Sequence, residues 1–156
     1  MAGALAIDPG KTLGWARPGL AGVLPLAAYE DEGQATAAFM QWLADRFTED
    51  RPSVIVFEAA FFKGRFTPHA DFTAGLIRAG HATAFIHDVP RREIAANTVR
   101  LAVFGKATGH SDPVRVAKAR ALGFAFVAPP GVDEAEVANH AADAALLLHV
   151  AGGGHG

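Results

Sequence analysis

Ala4-Leu5-Ala6-Ile7-Asp8-Pro9-Gly10-Lys11-Thr12-Leu13-Gly14-Trp15-Ala16 is the stretch on which the reading of the fold turns. Apolar residues run into an aspartate, Pro9-Gly10 stops the run, and a second apolar segment follows: strand, tight turn, strand. Asp8 therefore stands where a buried strand surfaces. A carboxylate there is costly to desolvate unless a positive charge meets it, and a divalent cation is a partner that also does chemistry. An aspartate that merely opens the turn, accepting backbone N–H bonds, fits the same residues. The rest of the chain separates the two.

Residues 4–8, 13–17 and 22–29 read as three short strands divided by Pro/Gly turns, a β-meander. Ala35, Phe39, Trp42, Leu43 and Phe47 recur at helical spacing and predict an amphipathic helix over 34–48, closed by Arg51-Pro52. Ser53-Val54-Ile55-Val56-Phe57 is apolar on both faces, as central strands are, and it runs into Glu58. The arrangement at Asp8 is thus repeated. Two neighbouring parallel strands ending in acids would set them side by side at the sheet edge where α/β folds bind ligands.

Between 59 and 69 lies a loop in which Phe61, Phe62 and Phe66 alternate with Lys63 and Arg65. Such a mixture suits stacking on bases while holding phosphates; the same phenylalanines would also serve as core if they folded inward. A helix over 70–79, a strand over 83–87 and a helix over 91–104 opened by Pro90 come next. Gly105 to His110 is a break whose glycine spacing is not that of a phosphate-binding loop, followed by a helix over 112–122 with Pro113 in its first turn. Pro129-Pro130-Gly131 stops the chain before a final helix over 133–150. Within it His140 and Asp143 are three residues apart and share one face, set among alanines that would let the helix approach the sheet closely.

With 156 residues, 51% of them apolar and 19% charged, the chain is expected to form one globular domain over 1–151, with 152–156 a disordered tail. No run is apolar over the ~18 to 20 residues that cross a bilayer, and the start lacks the layout of a signal peptide, so a cytoplasmic protein is expected. Absence of cysteine removes disulfides and thiolate metal sites. Any metal would be held by carboxylates and histidine, which points to Mg²⁺ or Mn²⁺. The net charge of −2 supplies no general attraction for nucleic acid. Lys63, Arg65, Arg91, Arg92, Arg100, Lys106, Arg115, Lys118 and Arg120 do, however, fall in the middle of the chain with few acids among them, a candidate basic face.

Taken together, these pieces resemble the RuvC family of Holliday-junction resolvases, which have the ribonuclease-H-like fold. The matching segments are Ile7-Asp8-Pro9-Gly10 with Gly14-Trp15, Val56 through Phe62, Val99 through Gly105, and His140-Ala141-Ala142-Asp143-Ala144, in family order and across nearly the whole chain. The resemblance implies an α/β fold with a central mixed five-stranded sheet flanked by helices. It also implies a bacterial or phage-encoded endonuclease that cuts four-way or other branched DNA as a homodimer, with two Mg²⁺ or Mn²⁺ ions per site. The catalytic and metal-binding positions fall on Asp8, Glu58, His140 and Asp143, a stacking aromatic on Phe61, and a basic residue near the ions on Arg100. The DNA-contacting set expected here is Phe61, Phe62, Lys63, Arg65, Arg100, Lys106, His110, Arg115 and Lys118. The chain departs from the family in lacking a lysine at the start of the penultimate helix, where it reads Gly109-His110-Ser111-Asp112; His110 or Lys106 are the substitutes at hand. The alternative is a ribonuclease-H-like nuclease of the RNA-processing type acting on structured RNA, which shares the strand–Asp–turn opening.

Overall fold

The computed structural model describes residues 3–59 and 67–152. β1 (Leu5–Asp8), β2 (Thr12–Arg17) and β3 (Leu20–Pro25) form the meander, closed by a 3-10 turn at Leu26–Ala28 that donates backbone N–H bonds to the Lys11 carbonyl. α1 (Glu32–Glu49) follows, its first turn capped by the Asp31 carboxylate, which accepts from the Gln34 N–H at 2.7 Å. Then come β4 (Ile55–Ala59), α2 (Pro68–Ile86), β5 (Arg91–Ala95), α3 (Ala96–Phe104), α4 (Asp112–Ala121), β6 (Ala125–Val127) and α5 (Glu134–Ala151).

The strands make one mixed sheet in the order β5-β4-β1-β2-β3-β6. β1 runs parallel to β4 and antiparallel to β2; β4–β5 and β3–β6 are parallel. Alternation along the strands divides the core. Leu5, Ile7, Ile55 and Phe57 face α1 and α2, whereas Ala6, Ala16, Ala21 and Val56 face α3, α4 and α5. On the second face small residues dominate, and α5 lies very near the sheet. Gly14 carries the closest approach: a Cβ there would run into the His140 carbonyl oxygen of α5.

Two elements differ from the sequence expectation. Residues 83–87 are not a strand but the last turn of α2 and its cap. The β-branched and aromatic residues there suggested strand, yet Phe72, Leu76, Gly80, Thr83 and Ala84 form one continuous buried helical stripe, and the Thr83 hydroxyl donates to the Ala79 carbonyl at 2.8 Å. Packing overrides propensity. Residues 91–95, expected as the start of a helix, are edge strand β5, with Pro90 immediately before it and its carbonyl accepting from the Ile55 N–H. Arg91, Arg92 and Glu93 are all exposed, and charged side chains on an outer strand protect it from further pairing. With β5 and the short β6, which the sequence reading passed over, the described sheet has six strands where five were expected. Residues 153–156 of the expected tail lie outside the described residues.

Candidate active site

The alternation that builds the core also aims the acids. Ala6 and Val56 face α5, so Asp8 and Glu58, two residues further along their strands, face the same way. β1 and β4 are paired Ala6 to Val56 and Ile7 to Phe57, a register that sets Asp8 beside Glu58 at the carboxyl ends of the two strands. On the other side Asp8 pairs with Gly14, where α5 comes down at His140. One turn further along that helix is Asp143. Three carboxylates from β1, β4 and α5 thereby gather at one end of the sheet, each half-buried.

Their electrostatics are those of crowded negative charge. Burial pushes the Asp8 carboxyl well above the ordinary aspartate range, and Glu58 and Asp143 push it further. Glu58 is raised to about 7, first by burial and then by Asp143. Asp143 is raised by burial, an effect that Arg115 and Arg100 oppose. Among the described residues Arg115 is paired with Asp143: its Nε lies 2.9 Å from Oδ1, with the two side chains 13% and 24% exposed. Arg100, half-buried on α3, favours the ionised form of all three acids, and at Glu58 it does so more than Arg115. Among the described residues no group of three or more His, Asp or Glu side chains is drawn together tightly enough to enclose an ion. The donor set nonetheless suits a hard cation, since all three groups offer carboxylate oxygen and burial, which raises all three proton affinities, leaves their ionised forms short of solvation.

A cavity of about 280 Å³ opens beside the acids, lined by Asp8, Glu58, His69, Thr73 and Ala96 among others. His69 and Thr73, near the start of α2, were not singled out from sequence. The Thr67-Pro68 helix start was the available signal: the Thr67 hydroxyl accepts from the Ala70 N–H, and Pro68 occupies the first turn. Thr73 Oγ1 is sealed from solvent with no hydrogen-bond partner among the described residues.

The other expected residues are distributed as follows. The His140 side chain is exposed, on the same helix as Asp143; its backbone carbonyl is the part that meets Gly14. The His110 ring stacks on that of Phe104, with centroids 4.0 Å apart and planes at 19°, and His110 Nε2 is paired with the Lys106 carbonyl at 2.9 Å. Lys106 is exposed in the turn after α3, and Lys118 is half-buried on α4. Arg115, expected among the DNA-contacting residues, is paired with Asp143. Phe61, Phe62, Lys63 and Arg65 lie outside the described residues.

No protein-family model matches the sequence, and neither does any curated protein. Solved structures do match. Thermus thermophilus RuvC in complex with a Holliday junction substrate aligns with a TM-score of 0.68 at 22% identity, covering 94% of this chain and 92% of that one. The chain has the RuvC fold. A second T. thermophilus RuvC structure gives 0.62 at 21% identity over 97% of both chains, and the yeast mitochondrial Holliday junction resolvase gives 0.61 at 16% identity over 93% of this chain and 75% of that one. The RuvC fold accounts for the mixed α/β sheet and the helices on both its faces, as the sequence resemblance implied.

Proposed function

We propose that this protein is a metal-dependent endonuclease that resolves four-way or other branched DNA junctions by phosphodiester hydrolysis. The observation that carries the reading is the gathering of Asp8, Glu58 and Asp143 from two parallel strands and a helix at one end of the sheet, on a fold shared with RuvC. Asp8, which lies between Glu58 and Asp143, would hold the ions together with them. His140, three residues before Asp143, is the fourth ligand position. Mg²⁺ or Mn²⁺, two per site, would supply an activated water and neutralise charge on the phosphate and the leaving oxygen. The chain's own contributions are distinct from that chemistry. Its carboxylates accept the water's proton and fix the site's charge, and Arg100 adds positive potential toward an incoming phosphate. Phe61 and Phe62 are proposed to stack on bases at the branch point, with Lys63, Arg65, Lys106, His110 and Lys118 on the backbone. A two-fold homodimer would present two sites to one junction, which suits paired cuts on strands of like polarity.

The test is cleavage of synthetic four-way, three-way and linear DNA, and of a structured RNA, in Mg²⁺ or Mn²⁺. Cleavage of the branched DNA is expected, with Asp8→Asn inactive yet still binding the junction in a gel-shift assay. Cutting of the RNA alone, or full activity in Asp8→Asn, would refute the assignment.

A further inference from the structure

We propose that Arg115 is the resident cation of this site: its guanidinium stands on Asp143 in the ion-free protein, and a divalent ion must lift it off to bind. The inference rests on the ion-site reading above and adds to it a competitor built into the chain.

The guanidinium is held from two directions. From its own side of the molecule, Nη1 donates to the His110 carbonyl at 2.6 Å and Nη2 to the Asp112 carboxylate. The His110 carbonyl is itself fixed, because the ring of that residue stacks on Phe104 and pairs with the Lys106 carbonyl. The turn between α3 and α4 is therefore a mount for Arg115. From the other side, among the described residues, comes Asp143, 2.9 Å from Nε. That third contact is the poorest of the set. Nε is sealed from solvent and stands 2.9 Å from Asp143 Oδ1 with no aligned acceptor among the described residues, so charge dominates this contact.

This geometry sets the direction of exchange. An ion arriving at Asp143 replaces that one contact, while Arg115 keeps its bonds to the His110 carbonyl and the Asp112 carboxylate on the α4 side. Among the described residues Arg115 is the cation paired with the acids, at 2.9 Å from Asp143. That pairing also accounts for the absence of a tight ion-holding cluster among the described residues, since Asp143 is engaged elsewhere. A residue that merely oriented Asp143 as a ligand would act oppositely, because losing such support weakens metal binding.

Titration calorimetry with Mn²⁺ on the intact protein distinguishes the two. Removing a positive charge at ion-pair distance should tighten binding on the order of tenfold, so Arg115→Gln binds Mn²⁺ more tightly than wild type. Arg115→Lys, which keeps the charge but loses the fork that grips His110 and Asp112, falls between. In EDTA the melting temperature of Arg115→Gln should drop, and saturating Mn²⁺ should restore it. Unchanged or weaker Mn²⁺ binding in both variants would overturn the inference while leaving the ion site standing, and if Arg115→Gln fails to fold, Arg115→Lys alone decides on the same criterion. Asp143→Asn guards the underlying reading: if it binds Mn²⁺ as wild type does, or if wild type binds none, the ion site itself falls, and this inference with it.

Discussion

Glu58→Gln should make the ion-free protein more stable at neutral and alkaline pH, although it removes a group central to the proposed chemistry. In the folded protein the carboxyl is raised from 4.5 to about 7. The folded state therefore holds a proton that the unfolded chain has already released, and stability falls as pH rises through that window. Below about 4.5 both states are neutral at this position and nothing is lost. Above about 7 the ionised carboxyl is less favourable in the fold by about 3 kcal/mol, at about 1.4 kcal/mol for each factor of ten. The glutamine keeps the shape and cannot ionise. For a domain of this size each kcal/mol moves the melting temperature by about 2–4 °C, so the variant should melt about 6–12 °C above wild type at pH 8 and close to it at pH 5. Circular-dichroism melts in EDTA across that range measure the difference directly. Mg²⁺ should then raise wild type and narrow the gap, because an ion stabilises only the form that binds it. A gap that does not change with pH, or a variant less stable than wild type at pH 8, would refute the claim that Glu58 is crowded by burial and by Asp143.

Two further substitutions probe how the site is built. Gly14→Ala places a methyl group against the His140 carbonyl, so α5 must retreat from β2; a loss of about 2 kcal/mol in urea denaturation is expected, together with reduced junction cleavage, and wild-type stability would show that the close approach is not required. Thr73→Val removes a sealed hydroxyl that has no partner among the described residues, so stability should hold or rise by up to about 1 kcal/mol; a clear loss would mean that the hydroxyl is satisfied in solution.

The acids were legible because they end apolar strands. A period of two, once Ala6 and Val56 are known to face α5, fixes where Asp8 and Glu58 point, and a helical period does the same for Asp143. The edge of the sheet was not legible. Thr83 through His87 has strand-like composition, and only the stripe it continues with Leu76 and Gly80 makes it helix; Arg91 through Ala95 carries the charges of an exposed strand that a helix surface would equally tolerate. The Arg115–Asp143 pair was not legible for a different reason. The position of Arg115 among the basic residues of the mid-chain says nothing of its partner, because the pairing with Asp143 joins two helices that packing alone brings together.

At Gly14 the helix and the sheet meet backbone to backbone, with alanines on either side of the contact. A spacing set by bulky side chains can drift as rotamers change, whereas one set by two main chains in contact has no such freedom. Asp143 is carried on one of those main chains and Asp8 is bonded to the other. The crossing therefore acts as a gauge block that fixes the span between the two acids.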